Sequence, residues 1–267
     1  MRLKDKIILI TGSTTGIGAA MSRRFVAEGA RVMLHGRNAV RGRALLAELG
    51  PSAAIHLDDM ADPAAADRLV RTTVERFGRI DALVNNAAIT DRTNLETTDA
   101  GTFDRIIAVN LRAPLLLVRA AVSALALTRG AVLNIGSVLA HCGQSTLLAY
   151  SVSKGGLMTL TRNLADSLGP RQIRINQLNV GWTLTENEYA LKIADGLPAN
   201  WPEILPLSTA PSGKLLTPED VACSAIYWVS DESRPVSGTI AELEQYPIIG
   251  RFPDHDSLRN ESERIDA

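Results

Sequence analysis

The sequence predicts an α/β fold, doubly wound, with a seven-stranded parallel sheet and helices on both faces. Two observations carry that reading. Short β-branched apolar runs alternate with longer stretches of helical period, the pattern of successive βαβ units. The apolar runs, such as Ile7-Ile8-Leu9-Ile10, are continuous where a half-exposed strand would alternate, as expected when both faces of a sheet are covered.

Taken in order, strands are expected over residues 6–11, 31–35, 53–57, 82–85, 131–136, 173–178 and 239–243. The helices between them have legible ends. One spans 16–28 and closes at Gly29, the next spans 39–49 and closes at Gly50, and a third spans 63–77 and closes at Gly78. Thr217-Pro218 opens another that runs to residue 230. Glycine just past a helix accepts the left-handed closing conformation, and proline in the first turn has no N–H left unpaired. A long helix over 149–169 carries Leu157, Leu160, Leu164 and Leu168 at helical spacing, a stripe that faces either the core or a partner subunit. Residues 182–216 contain Pro198, Pro202, Pro206 and Pro211 and read as a long mobile loop, a lid with one short helix before it. No repeat, low-complexity tract or linker marks a second domain, so residues 1–267 are expected to form a single domain ending in a polar tail from residue 246.

Composition excludes several classes. With 28 Lys+Arg against 29 Asp+Glu the net charge is -1, which lacks the cationic excess of a general nucleic-acid binder. Two cysteines, Cys142 and Cys223, cannot build a disulfide framework or a cysteine-rich zinc site; no metal is expected, and a reducing, cytoplasmic setting is. The first apolar run is cut short by Thr11-Gly12 and is not an export signal. The apolar region 113–127 is interrupted by Arg119 and is shorter than the ~20 residues a bilayer requires, so no membrane association is expected.

The first strand ends in Thr11-Gly12-Ser13-Thr14-Thr15-Gly16-Ile17-Gly18, and a helix begins inside this run. Glycines at such a turn allow positive φ and let a pyrophosphate approach the backbone at a positive helix N-terminus. The spacing TGxxxGxG, Asn85-Asn86-Ala87-Ala88 after the fourth strand, Ser137 after the fifth, and Tyr150-xxx-Lys154 together resemble the short-chain dehydrogenase/reductase family, in order, from residue 6 to residue 243. The resemblance implies a Rossmann-type fold, a nicotinamide cofactor and oxidoreductase activity.

The chemistry also reads from the residues. Tyr150 and Lys154 stand four apart on one helical face, so the ammonium can sit beside the phenol. That cation, with the charge of an oxidised nicotinamide, would lower a phenol pKa from ~10 and favour the phenolate, a group able to exchange a proton with an alcohol. The bland alternative for an isolated YxxxK is a surface tyrosine with a solvated lysine. By resemblance, Ser137 steadies the substrate oxygen, where a turn-capping serine is the alternative. Asn110 matches a helix asparagine that holds a water linking the lysine to solvent, and a satisfied core amide is the other reading.

Cofactor choice turns on Leu34-His35-Gly36-Arg37-Asn38. An acid at position 36 would take the ribose hydroxyls of NAD and repel a 2'-phosphate. Gly36 leaves room, and Arg37 offers a donor fork suited to phosphate, so NADP is the expected cofactor, with NAD possible. Thr15 departs from the basic residue that many NADP-preferring relatives carry there, and a solvated helix-start residue is the other reading of Arg37. The resemblance further assigns the glycine-rich run (Gly12, Ser13, Thr14, Thr15, Gly16, Ile17, Gly18), Arg37, Asn38, Asp59, Met60, Asn86, Ala87, Tyr150, Lys154, Thr183 and Thr185 to the cofactor. Asp58 competes with Asp59 for the adenine position. Val180-Gly181 replaces the family's Pro-Gly, which should loosen that turn.

The small-molecule alcohol or carbonyl substrate is less legible. His141 and Gln144 could hydrogen-bond a polyhydroxylated compound and Trp182 could stack on a sugar face, which favours a sugar or polyol. Alternatives are a 3-oxoacyl thioester reductase and a non-catalytic cofactor-sensing regulator. Glu242-Leu243-Glu244-Gln245-Tyr246-Pro247 replaces the family's glycine-rich ending and could reach a substrate pocket. A homodimer or homotetramer is expected.

Overall fold

The structure, a computed structural model, describes residues 1–249. Seven strands form one parallel sheet: β1 Ile7–Ile10, β2 Arg31–Gly36, β3 Ala53–Leu57, β4 Ala82–Asn85, β5 Ala131–Ser137, β6 Arg174–Val180 and β7 Ile240–Leu243, in the spatial order β3-β2-β1-β4-β5-β6-β7. The strand order reverses between β1 and β4, and in such sheets the crevice beyond the carboxyl ends at that switch point takes ligands.

Alternate residues of each strand serve two cores. Ile8, Ile10, Val32, Leu34 and Leu133 pack against α1 (Gly16–Ala27), α2 (Ala39–Leu49) and α8 (Pro218–Val229). Leu9, Met33, Leu83 and Val132 pack against α3 (Ala65–Phe77), α5 (Ala113–Thr128) and α6 (Leu148–Leu168). Both faces being covered accounts for the unbroken apolar strands. Of the leucine stripe of α6, Leu164 and Leu168 pack on the second core, Leu157 is buried and Leu160 is half-buried.

Several boundaries differ from expectation. β6 starts at Arg174 and runs to Val180, because it keeps partners on both sides, Ser137 at the end of β5 and Leu243 at the end of β7. The turn after it is therefore held: the Gly181 N–H donates to the Leu243 carbonyl at 2.9 Å and the Trp182 N–H to Glu244 Oε2 at 3.2 Å. Losing proline has not loosened this corner. α3 begins at Ala65, two residues late. α4 (Ala100–Ile107) runs through a π-helical turn, Ala108–Arg112, into α5. This Ala100–Thr128 helix is apolar and long enough, by length and composition, to cross a membrane, but half of its most apolar window is buried, and Leu117, Val118, Ala121 and Leu125 pack into the second core.

The stretch read as a mobile loop has a core of its own. It carries α7 (Glu186–Ala194) and a short turn, Trp201–Glu203, and it is closed at its base by the Thr183–Leu216 bridge. Trp201 is buried with Ala210 and Leu215 against Trp182, Leu184, Leu197 and Leu205, and its indole stacks on Trp182 at 5.5 Å. The polar tail expected from residue 246 lies, from residue 250 on, outside the described residues.

Candidate active site

Two adjoining cavities open at the switch point. The first, about 530 Å³, is floored by Gly12 and the Thr14-Thr15-Gly16-Ile17-Gly18 run. Gly12 and Gly18 are required by space. Gly12 has φ +61° and a Cβ there would lie 2.8 Å from the Ala87 Cα; a Cβ on Gly18 would lie 2.2 Å from the Gly12 carbonyl oxygen. Asn86 stitches the floor to β4, its Nδ2 donating to the Thr11 and Gly12 carbonyls at 2.9 and 3.0 Å. Thr15 stands at the N-cap of α1 without a side-chain capping bond, so the first-turn N–H groups at Gly16, Ile17 and Gly18 have no side-chain partner, the arrangement that receives an anion. Ser13 does not reach the cavity: it is fully buried, and its hydroxyl accepts from the His35 N–H (2.8 Å) and donates to the His35 carbonyl (3.3 Å).

His35, unremarked as a functional residue in the sequence, locks this floor. Its Nδ1 accepts from the Gly12 N–H at 3.2 Å, which leaves Nε2–H to donate to the Asp58 carbonyl at 3.1 Å. Burial pushes this imidazole down to about 4, so it is neutral, as an acceptor must be. A histidine inside an otherwise apolar strand was the available signal.

At the far end of the first cavity stand Gly36, Arg37, Asn38, Arg41, Asp59 and Met60. Asn38 caps α2, its Oδ1 accepting from the Val40 and Arg41 N–H groups. Arg37, 62% exposed, lies 3.7 Å from Asp59, which also faces Arg105 at 3.6 Å. Asp59, not Asp58, lines the cavity; Asp58 is held by Arg68, whose hydrogen bonds keep its carboxyl low, at about 2. Arg41 was missed, although it stands four residues from Arg37 in the first turn of α2. The space above Gly36 is not open either: Thr14 fills it, with Oγ1 2.6 Å from where a Cβ would be.

The second cavity, about 480 Å³, shares Ile17, Asn86, Ala88, Thr90 and Thr185 with the first. Ser137, at the end of β5, and Tyr150 and Lys154, on successive turns of α6, line it together. Ser137 accepts from the Leu139 N–H at 3.2 Å and hydrogen-bonds the Tyr150 phenol. Lys154 is buried, with Nζ 5.5 Å from the Tyr150 ring centre and donating to the Ile135 carbonyl at 2.8 Å. The expected depression of the phenol counts on an oxidised nicotinamide as well as Lys154, and in the protein alone the shift runs the other way. Burial raises Tyr150 above its ordinary value, with only the Ser137 bond opposing, and the same burial pushes Lys154 down to about 8. Removal from water, which disfavours the charged form of each group, is the dominant cause for both.

Asn110 is held through both ends of its amide. It lies in the π-helical turn, with Oδ1 accepting from the Ile89 N–H (2.8 Å) and Nδ2 donating to the Ile89 carbonyl (2.9 Å) and Ser153 Oγ (3.0 Å). Its side chain is a strut between the β4 loop and α6, with one acceptor position of Oδ1 left over. His141 is withdrawn. It pairs with Glu242 at 2.9 Å and contacts Asn179 at 3.2 Å, outside the cavity lining, because the end of β7 offers it a carboxylate. Gln144 and Trp182 do line the cavity, but Trp182 is already stacked on Trp201 and its Nε1 donates to Glu188 at 2.9 Å. Thr183 lines the cavity with its hydroxyl turned to the Gly181 carbonyl, and Thr185 caps α7. Arg92, Glu188, Lys192, Glu244 and Tyr246 complete the wall. Of these, Glu188 and Lys192, four apart on α7, were readable as a helix-face pair; Arg92 carried no local signal.

A floor in which Gly12 and Gly18 leave no room for a Cβ, ending at a helix N-terminus with no side-chain cap, fits a dinucleotide, and the side chains at the junction fit proton exchange with a bound alcohol or carbonyl. The comparisons agree. The family model described as enoyl-(acyl carrier protein) reductase matches residues 12–244. An uncharacterized oxidoreductase of Thermotoga maritima is 34% identical over 91% of this chain and 98% of its own. Galactitol 2-dehydrogenase of Agrobacterium fabrum is 30% identical over 87% and 93%, and mouse L-fucose dehydrogenase 33% over 86% and 84%. The crystal structure of 3-ketoacyl-(acyl-carrier-protein) reductase from Brucella melitensis complexed with NADH superposes with a TM-score of 0.80 at 29% identity, covering 90% of this chain and 97% of that one. The chain belongs to the short-chain dehydrogenase/reductase family and is an oxidoreductase of that family.

Proposed function

We propose that the protein is an NADP(H)-preferring oxidoreductase that interconverts a secondary alcohol and a carbonyl on a sugar or polyol, with Tyr150 as the acid/base. The observation that carries this reading is the shared wall: Ser137, Tyr150 and Lys154 line a cavity continuous with the glycine-floored one. The floor Gly12 to Gly18, Asn86, Ala87 and Thr185 would hold the dinucleotide, with Arg37 and Arg41 toward a 2'-phosphate. Bound nicotinamide supplies or accepts the hydride. Tyr150 Oη gives its proton to the substrate oxygen in reduction and takes it in oxidation, while Ser137 Oγ, bonded to the phenol, holds that oxygen in place. Lys154 keeps α6 seated on β5 through the Ile135 carbonyl and sets a positive charge beside the ring while protonated. Burial keeps the phenol protonated at neutral pH, the form needed to reduce a carbonyl.

The polar outer wall, with Gln144, Glu188 and Glu244 able to accept from hydroxyls, supports a polyhydroxylated substrate, as do the sugar dehydrogenases among the relatives. A second reading, reduction of a 3-oxoacyl thioester, is favoured by the similarity to the Brucella reductase. Purified protein assayed with NADPH, NADP, NADH and NAD against sugars, polyols, ketones and 3-oxoacyl thioesters separates the two. Turnover on thioesters alone would install the second, and no turnover on any compound would remove both and leave a cofactor-sensing protein. A homodimer or homotetramer in the cytoplasm is proposed on the same footing, and light scattering that shows only monomer would overturn the assembly.

A further inference from the structure

The end of β2 is the place from which a carboxylate takes the ribose hydroxyls in dinucleotide-binding folds. Here that place is Gly36, and the backbone does not demand a glycine: Gly36 is absent from the positive-φ residues. What excludes a side chain is Thr14. A Cβ on Gly36 would lie 2.6 Å from Thr14 Oγ1, 2.7 Å from Thr14 Cγ2 and 3.3 Å from Thr14 Cβ. Two of the three staggered positions on the Thr14 Cβ therefore point at residue 36. Threonine has two heavy γ atoms, so every rotamer leaves at least one of them there. Serine, with one, can turn it away. The Thr14 methyl is also 3.6 Å from where a Cβ on Gly42 of α2 would stand, so the side chain is seated between two glycines.

We propose that Thr14 is a specificity-determining residue of the first cavity: while threonine occupies position 14, no carboxylate can stand at position 36, and that end of the wall is left to Arg37, Asn38 and Arg41. Asp59, the carboxylate in the lining, is paired with Arg37 and Arg105. The inference rests on reading this cavity as a dinucleotide site and deepens it: cofactor choice is set by residues 14 and 36 together.

A double-mutant cycle tests it in two ways. Gly36→Ala is combined with Thr14→Ala and Thr14→Ser, and thermal midpoints are measured without cofactor. Gly36→Ala is expected to lower the midpoint by several degrees beside the native Thr14 and to have little effect in the Thr14→Ala or Thr14→Ser background. Equal losses in all three backgrounds would overturn the steric gate. Fluorescence titration with NADH and NADPH then compares Gly36→Asp with Thr14→Ala/Gly36→Asp. The double variant is expected to bind NADH at least about tenfold more tightly than the single one and to lose NADPH. No gain would overturn the role in specificity even if the midpoints couple. Parent protein that binds neither nucleotide would instead overturn the dinucleotide reading and, with it, the specificity role, while the midpoints still judge the gate.

Discussion

The two cavities share a wall but are made of different material. The nucleotide side is made of backbone: glycines whose missing side chains leave room, amides at the start of α1, carbonyls stitched by Asn86, and a Gly12 N–H held by His35. The substrate side is made of side chains, several of them on a lid whose shape depends on Trp201 and its stack with Trp182. The first kind of site tolerates almost no change at its floor, whereas the second can change its contacts without changing the fold.

The largest expected effect falls at the junction. Tyr150→Phe removes the proton carrier and little else, so turnover should fall about 10²- to 10⁴-fold or more while nicotinamide-nucleotide affinity, measured by fluorescence, stays within about twofold. Activity within tenfold of the parent would show that the phenol is not the acid/base and that the shared wall is not where the chemistry lies.

Acid should strike the nucleotide side first. His35 has a folded value of about 4 against 6.5 when exposed, so between those pH values the unfolded chain takes up a proton that the folded chain refuses. Stability contributed by the neutral imidazole is complete above pH 6.5 and is lost as pH falls toward 4, by up to about 3 kcal/mol. Thermal midpoints across that range should fall, and His35→Gln should flatten the slope. An unchanged slope in the variant would mean that other groups control acid stability.

Gly18→Ala probes the floor directly. A methyl 2.2 Å from the Gly12 carbonyl oxygen and 2.7 Å from Asn86 Nδ2 has to push backbone, at a cost of about 1–3 kcal/mol, and it spoils the surface on which a pyrophosphate would lie. Cofactor affinity should drop before substrate affinity does, which separate titrations would show.

The same contrast explains what was legible. Strand positions, helix ends and the TGxxxGxG floor follow from glycine, proline and apolar spacing, which act locally, and Ser137, Tyr150 and Lys154 line one cavity. His141 and Ser13 turn away from the cavities because each finds a nearer partner through tertiary packing: Glu242 and the backbone of His35. The direction of the Tyr150 shift in the protein alone is hidden from the sequence for a related reason. Residue spacing shows a neighbouring charge but not the depth of burial that outweighs it. The lid read as mobile because its prolines are visible in sequence while the stacking of Trp182 on Trp201 is not.

Arg37→Leu tests whether the nucleotide side depends on any side chain at all. Arg37 is exposed and shared with Asp59, so the loss of NADPH affinity should be modest, about tenfold, with NADH affinity unchanged. Equal effects on both cofactors would remove the phosphate contact and leave Arg41 as the remaining cation on that wall.

The smallest effect is expected on the lid. Glu188 accepts from Trp182 Nε1 at 2.9 Å and lies 3.9 Å from Lys192, and glutamine keeps an acceptor while removing the charge. A helix-surface ion pair as long as 3.9 Å contributes about 1 kcal/mol, so Glu188→Gln should raise the substrate KM by no more than about fivefold, with kcat and cofactor affinity unchanged. A fall in kcat at constant KM would place Glu188 among the reacting groups, and the division between a backbone-built side and a side-chain-built side would then run through the chemistry itself.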